Sequence, residues 1–253
     1  MTLIFADLSQ KVQAGQKISL EDIQKILAAD AAASFAIVEL AAQQRRSFFQ
    51  NHIEVVNLLD EHTGAPRQTG KPEPLLEISS SSDQTWLAHK IADLASNNNC
   101  PKITVDFVTA EDTNPEVVNS IQPMAALRIL AGIRLAAPAK SLSLRRGRVE
   151  GLRSLQALAL HLIDSLFFSR DLLAEPSSVF ADLKLIADAG LLVMPKGEKD
   201  LALSYVNYLQ GQGISDAQEL ADSLLNAQPA SGLGCAGQCG CGCSSGGCGE
   251  ASQ

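Results

Sequence analysis

The sequence predicts an α/β fold in which short parallel strands alternate with helices. Residues 121–191 carry the clearest pattern, because apolar residues at helical spacing alternate there with apolar runs of strand length. Such alternation is typical of a parallel sheet covered by helices. A hydrophobic content of 46% over 253 residues is sufficient for a sizeable core.

The N-terminal part of the chain predicts helices. Two short amphipathic helices are expected over residues 6–29, and Ser19 with Asp22 predicts a capping box at the start of the second. A longer helix is expected over residues 31–50. Arg45 lies near its C-terminal end, where the helix dipole favours a cation.

Strands and further helices follow along the chain. Apolar runs predict strands over residues 53–59, 103–108, 133–137 and 165–168. Helical spacing predicts helices over residues 86–95, 124–131, 155–162, 179–186, 199–210 and 215–227. Gly190 follows the helix of residues 179–186 at a position that favours a helix C-cap.

The order of several motifs resembles the biotin synthase family of radical SAM enzymes. In the C-terminal part, an apolar run ends at Pro138, a basic strand closes on Gly147-Arg148, a helix begins with Gln156-Ala157, Asp164-Ser165 precede an apolar strand, and Leu172-Leu173 precede Pro176. In the N-terminal part, the segments LEDIQKIL, AAQQRRSFF and VVNLLDEHTGA follow in the family's order. The resemblance implies a (β/α)8 barrel whose first strand leads to a SAM-binding iron–sulfur cluster.

The chain departs from this family at the residues that bind the clusters. Pro66 stands where the first cluster cysteine is expected, and no C-x3-C-x2-C occurs in the sequence. Laid on the family pattern, Arg148 matches the final arginine of the basic strand, and Ser143 replaces an arginine that helps to hold a second cluster. We therefore expect no SAM binding, no radical chemistry by this chain alone and no catalytic residues inherited from the family.

The interval between the first strand and the next clear one is too short for a complete barrel. Only residues 65–101 separate them, whereas a (β/α)8 barrel takes about 250 residues. The predicted fold class is therefore α/β, with a partial or degenerate TIM-type barrel, N-terminal helices and a disordered cysteine-rich tail. The predicted divisions are residues 1–50 (helical), 51–195 (partial barrel, with 66–82 as a linker), 196–228 (helices) and 229–253 (tail).

The tail carries the clearest site for a metal. Five of the six cysteines lie there among glycines, in the pattern C-x3-C-x-C-x-C-x4-C: Cys235, Cys239, Cys241, Cys243 and Cys248. Soft thiolates suit an iron–sulfur cluster, Zn or Cu, and the spacing selects none of them. The alternative is a low-complexity tail whose cysteines are merely exposed.

Other groups offer weaker sites. Arg145, Arg146 and Arg148 could bind an anion at a strand end, or they could form a solvated basic loop. Asp106 is expected to pair structurally with another side chain, and Cys100 is expected to be a buried, small apolar residue.

Composition limits the partners and the compartment. A net charge of −8 argues against binding to nucleic acid, and no apolar run reaches the roughly 20 residues of a membrane span. The N-terminus lacks the pattern of a signal peptide, so we expect a cytoplasmic protein. The expected partner is a complete radical SAM enzyme of the biotin synthase type, or a second copy of the chain.

Three functions remain open at this stage. The first is a non-catalytic, biotin-synthase-like accessory protein for iron–sulfur or other metal binding. The second is a divergent sulfurtransferase of the biotin synthase type that uses the tail cysteines for a cluster. The third is a metal-trafficking protein in which the α/β part is a carrier.

Overall fold

A computed structural model of the protein describes residues 3–56, 74–108, 121–168, 175–194 and 198–225. The first half contains α1 (Leu3–Gln13), α2 (Leu20–Leu27), α3 (Ala31–Phe49), β1 (His52–Val56), β2 (Leu75–Ile78), α4 (Gln84–Ser96) and β3 (Lys102–Phe107). The second half contains α5 (Pro123–Ala136), β4 (Ser141–Leu144), α6 (Arg148–Leu152), a 3-10 turn (Arg153–Leu155), α7 (Gln156–Leu160), β5 (Ser165–Phe167), α8 (Pro176–Asp188), β6 (Leu192–Met194), α9 (Glu198–Gly211) and α10 (Ala217–Leu225).

The strands form one six-stranded sheet in the order β2-β3-β4-β5-β1-β6, and every pairing is parallel. Within the described residues the sheet is an open arc whose edges are β2 and β6. The first strand of the chain, β1, lies between β5 and β6, the last two described strands. The predicted class, parallel strands with helices, is confirmed.

The helices pack on the sheet through a single apolar core. Buried residues of the strands, such as Ile53 and Ile103, join residues of the helices, such as Ile26, Leu127 and Leu183, in one cluster. Burial of this apolar surface is the main force that holds the helices on the sheet.

The N-terminal helices begin at well-formed caps. Ser19 and Asp22 form the predicted capping box at α2, because the Ser19 hydroxyl accepts from the Asp22 N–H and the Asp22 carboxylate accepts from the Ser19 N–H. Asp30 caps α3 by accepting from the backbone N–H of Ala33 at 2.8 Å. Gly190 follows α8 with φ of +69°, which fits the predicted helix end.

Two sequence predictions differ from the structure. Residues 133–136 of the predicted strand 133–137 form the last turn of α5, a helix buried over most of its surface. A short apolar run cannot be assigned to strand or helix by its period alone when both would be buried. In addition, residues 75–78 of the predicted linker 66–82 form β2, at the edge of the sheet.

Candidate functional site

The sheet has two unlike faces, because its strands alternate apolar and polar residues. One face carries Ile53, Val55, Leu76, Ile78, Ile103, Val105, Leu142, Leu144, Leu166 and Val193, all of which belong to the core. The opposite face, called here the polar face, carries His52, Glu54, Glu77, Lys102, Thr104, Asp106, Ser141, Ser143 and Ser165, with Leu75, Val56, Phe167, Leu192 and Met194.

The polar face departs from the usual chemistry of parallel strands. Parallel strands covered by helices on both faces are hydrophobic nearly throughout. Val56 supports the assignment of the two faces. It is a buried apolar residue, but it lies on the polar face, and it is not part of the core cluster that covers the opposite face. The polar face is therefore the surface of the sheet on which chemistry or ligand binding is expected.

A row of polar residues crosses the centre of this face. In register, Thr104 of β3 lies beside Ser143 of β4, Ser143 beside Ser165 of β5, and Ser165 beside Glu54 of β1. Ser143 and Ser165 are fully buried, and neither hydroxyl oxygen has a hydrogen-bond partner among the described residues. These two residues are called the hydroxyl pair below.

An ion pair lies one step further toward the carboxyl ends of the strands. Arg145 donates from Nε to Asp106 Oδ1 at 3.0 Å and from Nη2 to Asp106 Oδ2 at 2.5 Å. The backbone N–H of Arg146 also donates to Asp106 Oδ1, at 3.1 Å. The hydrogen bond to Asp106 raises the pKa of Arg145. Asp106 thus has the structural pairing that the sequence predicts.

The turn after β4 brings Arg148 against two other helices. Gly147 adopts φ of +67°, and a Cβ at this position would lie 1.7 Å from the carbonyl oxygen of Phe107. Arg148 follows and is buried; its Nη1 donates to Gln156 Oε1 at 2.5 Å and its Nη2 donates to Asp182 Oδ1. Its Nε is buried and has no hydrogen-bond partner in the described ranges of the chain.

The structure places the three arginines of the candidate anion site in different surroundings. Arg145 is neutralised by Asp106, and Arg148 is neutralised by Asp182. Arg146 has an exposed side chain beside them. An anion at this strand end would therefore meet one exposed guanidinium and two that already bind carboxylates; the joint site remains a prediction.

A buried polar network that the sequence did not predict lies at the end of the sheet where β4 and β5 begin. Arg134 of α5 and Arg45 of α3 are both fully buried. Arg134 donates to Asp164 Oδ1 at 2.5 Å and to the carbonyl of Leu162 at 2.8 Å, and its guanidinium lies 4.8 Å from the ring centroid of Phe49. The three charged residues Arg45, Arg134 and Asp164 are called the edge cluster below.

Every member of the edge cluster has several partners. Arg45 donates to the backbone carbonyls of Ile163, Gln50 and His52. Asp164 also accepts from the Ser141 hydroxyl and from the backbone N–H of Leu142, both at 2.7 Å. Burial lowers the pKa of Arg45 to about 10 and also lowers the pKa of Arg134. This cluster joins α3 and α5 to the strands, so its role is structural.

Two cavities are lined by residues other than Ser143 and Ser165. One of about 410 Å³ borders β1 and is lined by Phe48, Phe49, Gln50, His52, Glu54, Asp164 and Met194. Another of about 320 Å³ lies among the N-terminal helices and includes Asp7, Asp22 and Asp30 in its lining. These carboxylates already serve the fold, since Asp7 and Asp22 bind Lys11 and Asp30 caps α3.

The donors on the polar face do not fit an iron–sulfur cluster, which takes thiolate ligands. In the described parts of the chain, no three His, Cys, Asp or Glu residues are placed to hold a metal ion. Cys100 is buried, as predicted, and its thiol donates to the carbonyl of Lys102. The predicted tail ligands Cys235, Cys239, Cys241, Cys243 and Cys248 lie outside the described residues, as does Pro66.

Segments of the chain are similar to bacterial biotin synthases. One segment is 44% identical over 77 residues to the enzyme of Kocuria rhizophila, covering 30% of this chain and 16% of that protein. A segment is 43% identical over 81 residues to the enzyme of Streptomyces coelicolor, covering 32% of this chain and 20% of that protein. A segment is 34% identical over 103 residues to the enzyme of Bacillus subtilis, covering 40% of this chain and 31% of that protein.

The similar segments span less than a third of the length of these three relatives. No protein-family model matches the chain. Among the described residues, no helix combines the length and the apolar character needed to cross a membrane. The chain is thus similar to biotin synthases over 30–40% of its own length.

Proposed function

We propose that this protein is a biotin-synthase-like scaffold that does not cleave SAM by itself and that serves iron–sulfur or sulfur-insertion metabolism as a metal-binding accessory protein. The observation that carries the proposal is the chemistry of the polar face. Hydroxyl groups stand at its centre, and Ser143 occupies the position at which the resemblance places a cluster-binding arginine.

The sequence supports the lack of SAM cleavage independently. A cluster that binds SAM needs three thiolates on one loop, so that one iron stays open for the cofactor. The chain has Pro66 at the first of these positions and contains no C-x3-C-x2-C. Partial similarity to biotin synthases therefore relates to the scaffold rather than to the radical chemistry.

The metal-binding role rests on the tail. Five cysteines lie there among glycines, which allow the backbone to bend tightly enough for neighbouring thiolates to share one ion: Cys235, Cys239, Cys241, Cys243 and Cys248. A reducing cytoplasm keeps such thiols available to a metal rather than to disulfides. Binding at a structural thiolate site contributes ~10 kcal/mol or more at neutral pH, which would order the tail around the metal.

A truncation tests the metal-binding role. Deleting residues 234–253 is expected to abolish iron or zinc content and to leave the thermal unfolding of the remaining chain nearly unchanged. Metal content is measured by elemental analysis after anaerobic purification. Cys100→Ala, which removes the one cysteine outside the tail, is the matched control and is expected to retain the metal. If the truncated protein keeps full metal content and Cys100→Ala loses it, the tail is not the site.

The two alternative functions predict other outcomes of the same purification. A divergent sulfurtransferase would show the visible absorption of an iron–sulfur cluster and would transfer sulfur to a biotin-type precursor. A metal-trafficking protein would be colourless with Zn or Cu and would release its ion to an acceptor. The accessory role instead requires a complex, with a complete biotin synthase-type enzyme or with a second copy of the chain, which light scattering detects.

A further inference from the structure

We infer that the hydroxyl pair, Ser143 and Ser165, is the centre of a ligand site on the polar face. The site would take an uncharged small molecule through a hydrogen-bonding group such as an amide or a hydroxyl. The inference is independent of the proposed metal binding, because it concerns the sheet and not the tail cysteines.

The first support is the absence of hydrogen-bond partners for two neighbouring buried groups. Both serines are fully buried, and within the part of the chain that the structure describes neither Oγ is hydrogen-bonded. Nearly all buried polar groups in folded proteins have a partner, so each exception requires an explanation. Two exceptions lie side by side here, since Ser143 and Ser165 are directly opposed on adjacent parallel strands, which run about 4.8 Å apart.

The second support is a comparison within the same strand. Ser141 lies two residues before Ser143 on β4, and its hydroxyl donates to Asp164 Oδ2 at 2.7 Å. The fold thus supplies a partner for one serine of this strand and none for the next one on the same face. Burial of serines in β4 does not by itself leave a hydroxyl unpaired.

The charges around the hydroxyl pair determine the class of ligand. Arg145 is committed to Asp106 through two hydrogen bonds, so it offers little to an incoming anion. Glu54, which continues the row beyond Ser165, is negative and would repel an anion. A charged group at a buried position without an opposite charge is costly, whereas a hydroxyl can both donate to and accept from a neutral amide or hydroxyl.

Thermal unfolding gives the first test. If the hydroxyls lack partners in the free protein, Ser143→Ala and Ser165→Ala remove an unpaired buried group and each raises Tm by about 2 °C or more. Ser141→Ala is the matched control and lowers Tm, because it removes the hydrogen bond from the Ser141 hydroxyl to Asp164 Oδ2. A fall in Tm for both Ser143→Ala and Ser165→Ala would show that structural groups or a fixed water already satisfy the hydroxyls, and would overturn the inference.

Ligand-observed NMR gives the second test, with acetamide as the neutral probe and acetate as the charged one. Saturation transfer from the full chain to acetamide is expected, with a signal at least ten times as strong as the transfer signal of acetate. The double variant Ser143→Val/Ser165→Val should lose the acetamide signal, while Ser80→Ala, an exposed loop control, should retain it. Absence of transfer to acetamide, an equal signal from acetate, or an unchanged signal in the double variant would each contradict the inference.

Discussion

The edge cluster and the hydroxyl pair are two buried polar groups on the same sheet, and they differ in how completely they are satisfied. Each charged residue of the edge cluster makes several hydrogen bonds, whereas the hydroxyls of Ser143 and Ser165 make none to any described residue. Buried groups that are fully paired stabilise one arrangement of helices and strands. Buried groups that lack partners cost free energy, so their presence requires an explanation, which the inferred ligand site supplies.

The largest effect is expected in the edge cluster. Arg134→Ala removes one partner of a buried ion pair and leaves Asp164 buried without its hydrogen-bonded cation, so it should lower the free energy of unfolding by ~3–5 kcal/mol. Urea denaturation at neutral pH measures the change. Arg46→Ala is the control, because Arg46 pairs with Glu39 at the surface and should change stability by less than ~1 kcal/mol. Equal changes in the free energy of unfolding for the two variants would contradict the structural role of the edge cluster.

The next effect concerns the turn that carries β4 into α6. Gly147 and Gly15 share φ of +67°, but only Gly147 approaches another backbone, at the carbonyl of Phe107. Gly15→Ala should therefore cost ~1–2 kcal/mol from the left-handed backbone alone. Gly147→Ala should cost at least ~2 kcal/mol more, since the backbone must move. Urea denaturation of both variants compares the two costs, and similar costs would show that the turn is not tightly packed.

The smallest effect is a dependence on pH at the N-terminal helices. Burial alone would raise the pKa of Asp22, but hydrogen bonds from Ser19 and Lys11 lower it below its ordinary value. The folded pKa thus lies below the unfolded one, so the stabilisation is present above the unfolded pKa of about 3.9 and is lost as pH falls through the folded pKa.

Asp22→Asn isolates this charge, because it keeps the size and the acceptor oxygen of the side chain. At pH 7 it should lower the free energy of unfolding by about 1 kcal/mol or less, and the difference from the native chain should vanish in strong acid. Unfolding curves at several pH values measure the difference. A difference that persists undiminished at pH 2 would mean that the charge is not its cause.

Local features of the fold could be predicted from the sequence, whereas features that depend on distant contacts could not. The capping box at Ser19 needs only a three-residue spacing, and it was predictable for that reason. By contrast, β2 has just two inward apolar residues, Leu76 and Ile78, within a segment rich in Pro and Ser. Its pairing with β3 is what makes it a strand.

The same limit applies to the candidate site. The sequence predicts Arg45 near the C-terminal end of a helix, where it lies in α3, but not the hydrogen bond from its Nε to the carbonyl of Ile163, far along the chain. The hydroxyl pair likewise depends on the pairing of β4 with β5, which fixes Ser143 opposite Ser165. Neither contact can be predicted from the spacing of residues in a single sequence, because its two partners are far apart along the chain. The sequence shows the chemical type of each of these residues, but only the fold shows which residues lie beside it.

The most direct test of the proposed function is an assay for cleavage of SAM. The full chain, reconstituted anaerobically with iron and sulfide and reduced with dithionite, is expected to form no 5′-deoxyadenosine above a control without protein. The biotin synthase of Bacillus subtilis, treated in the same way, is the positive control. Formation of 5′-deoxyadenosine by this chain at a rate comparable with that control would contradict the proposal and would favour the divergent sulfurtransferase.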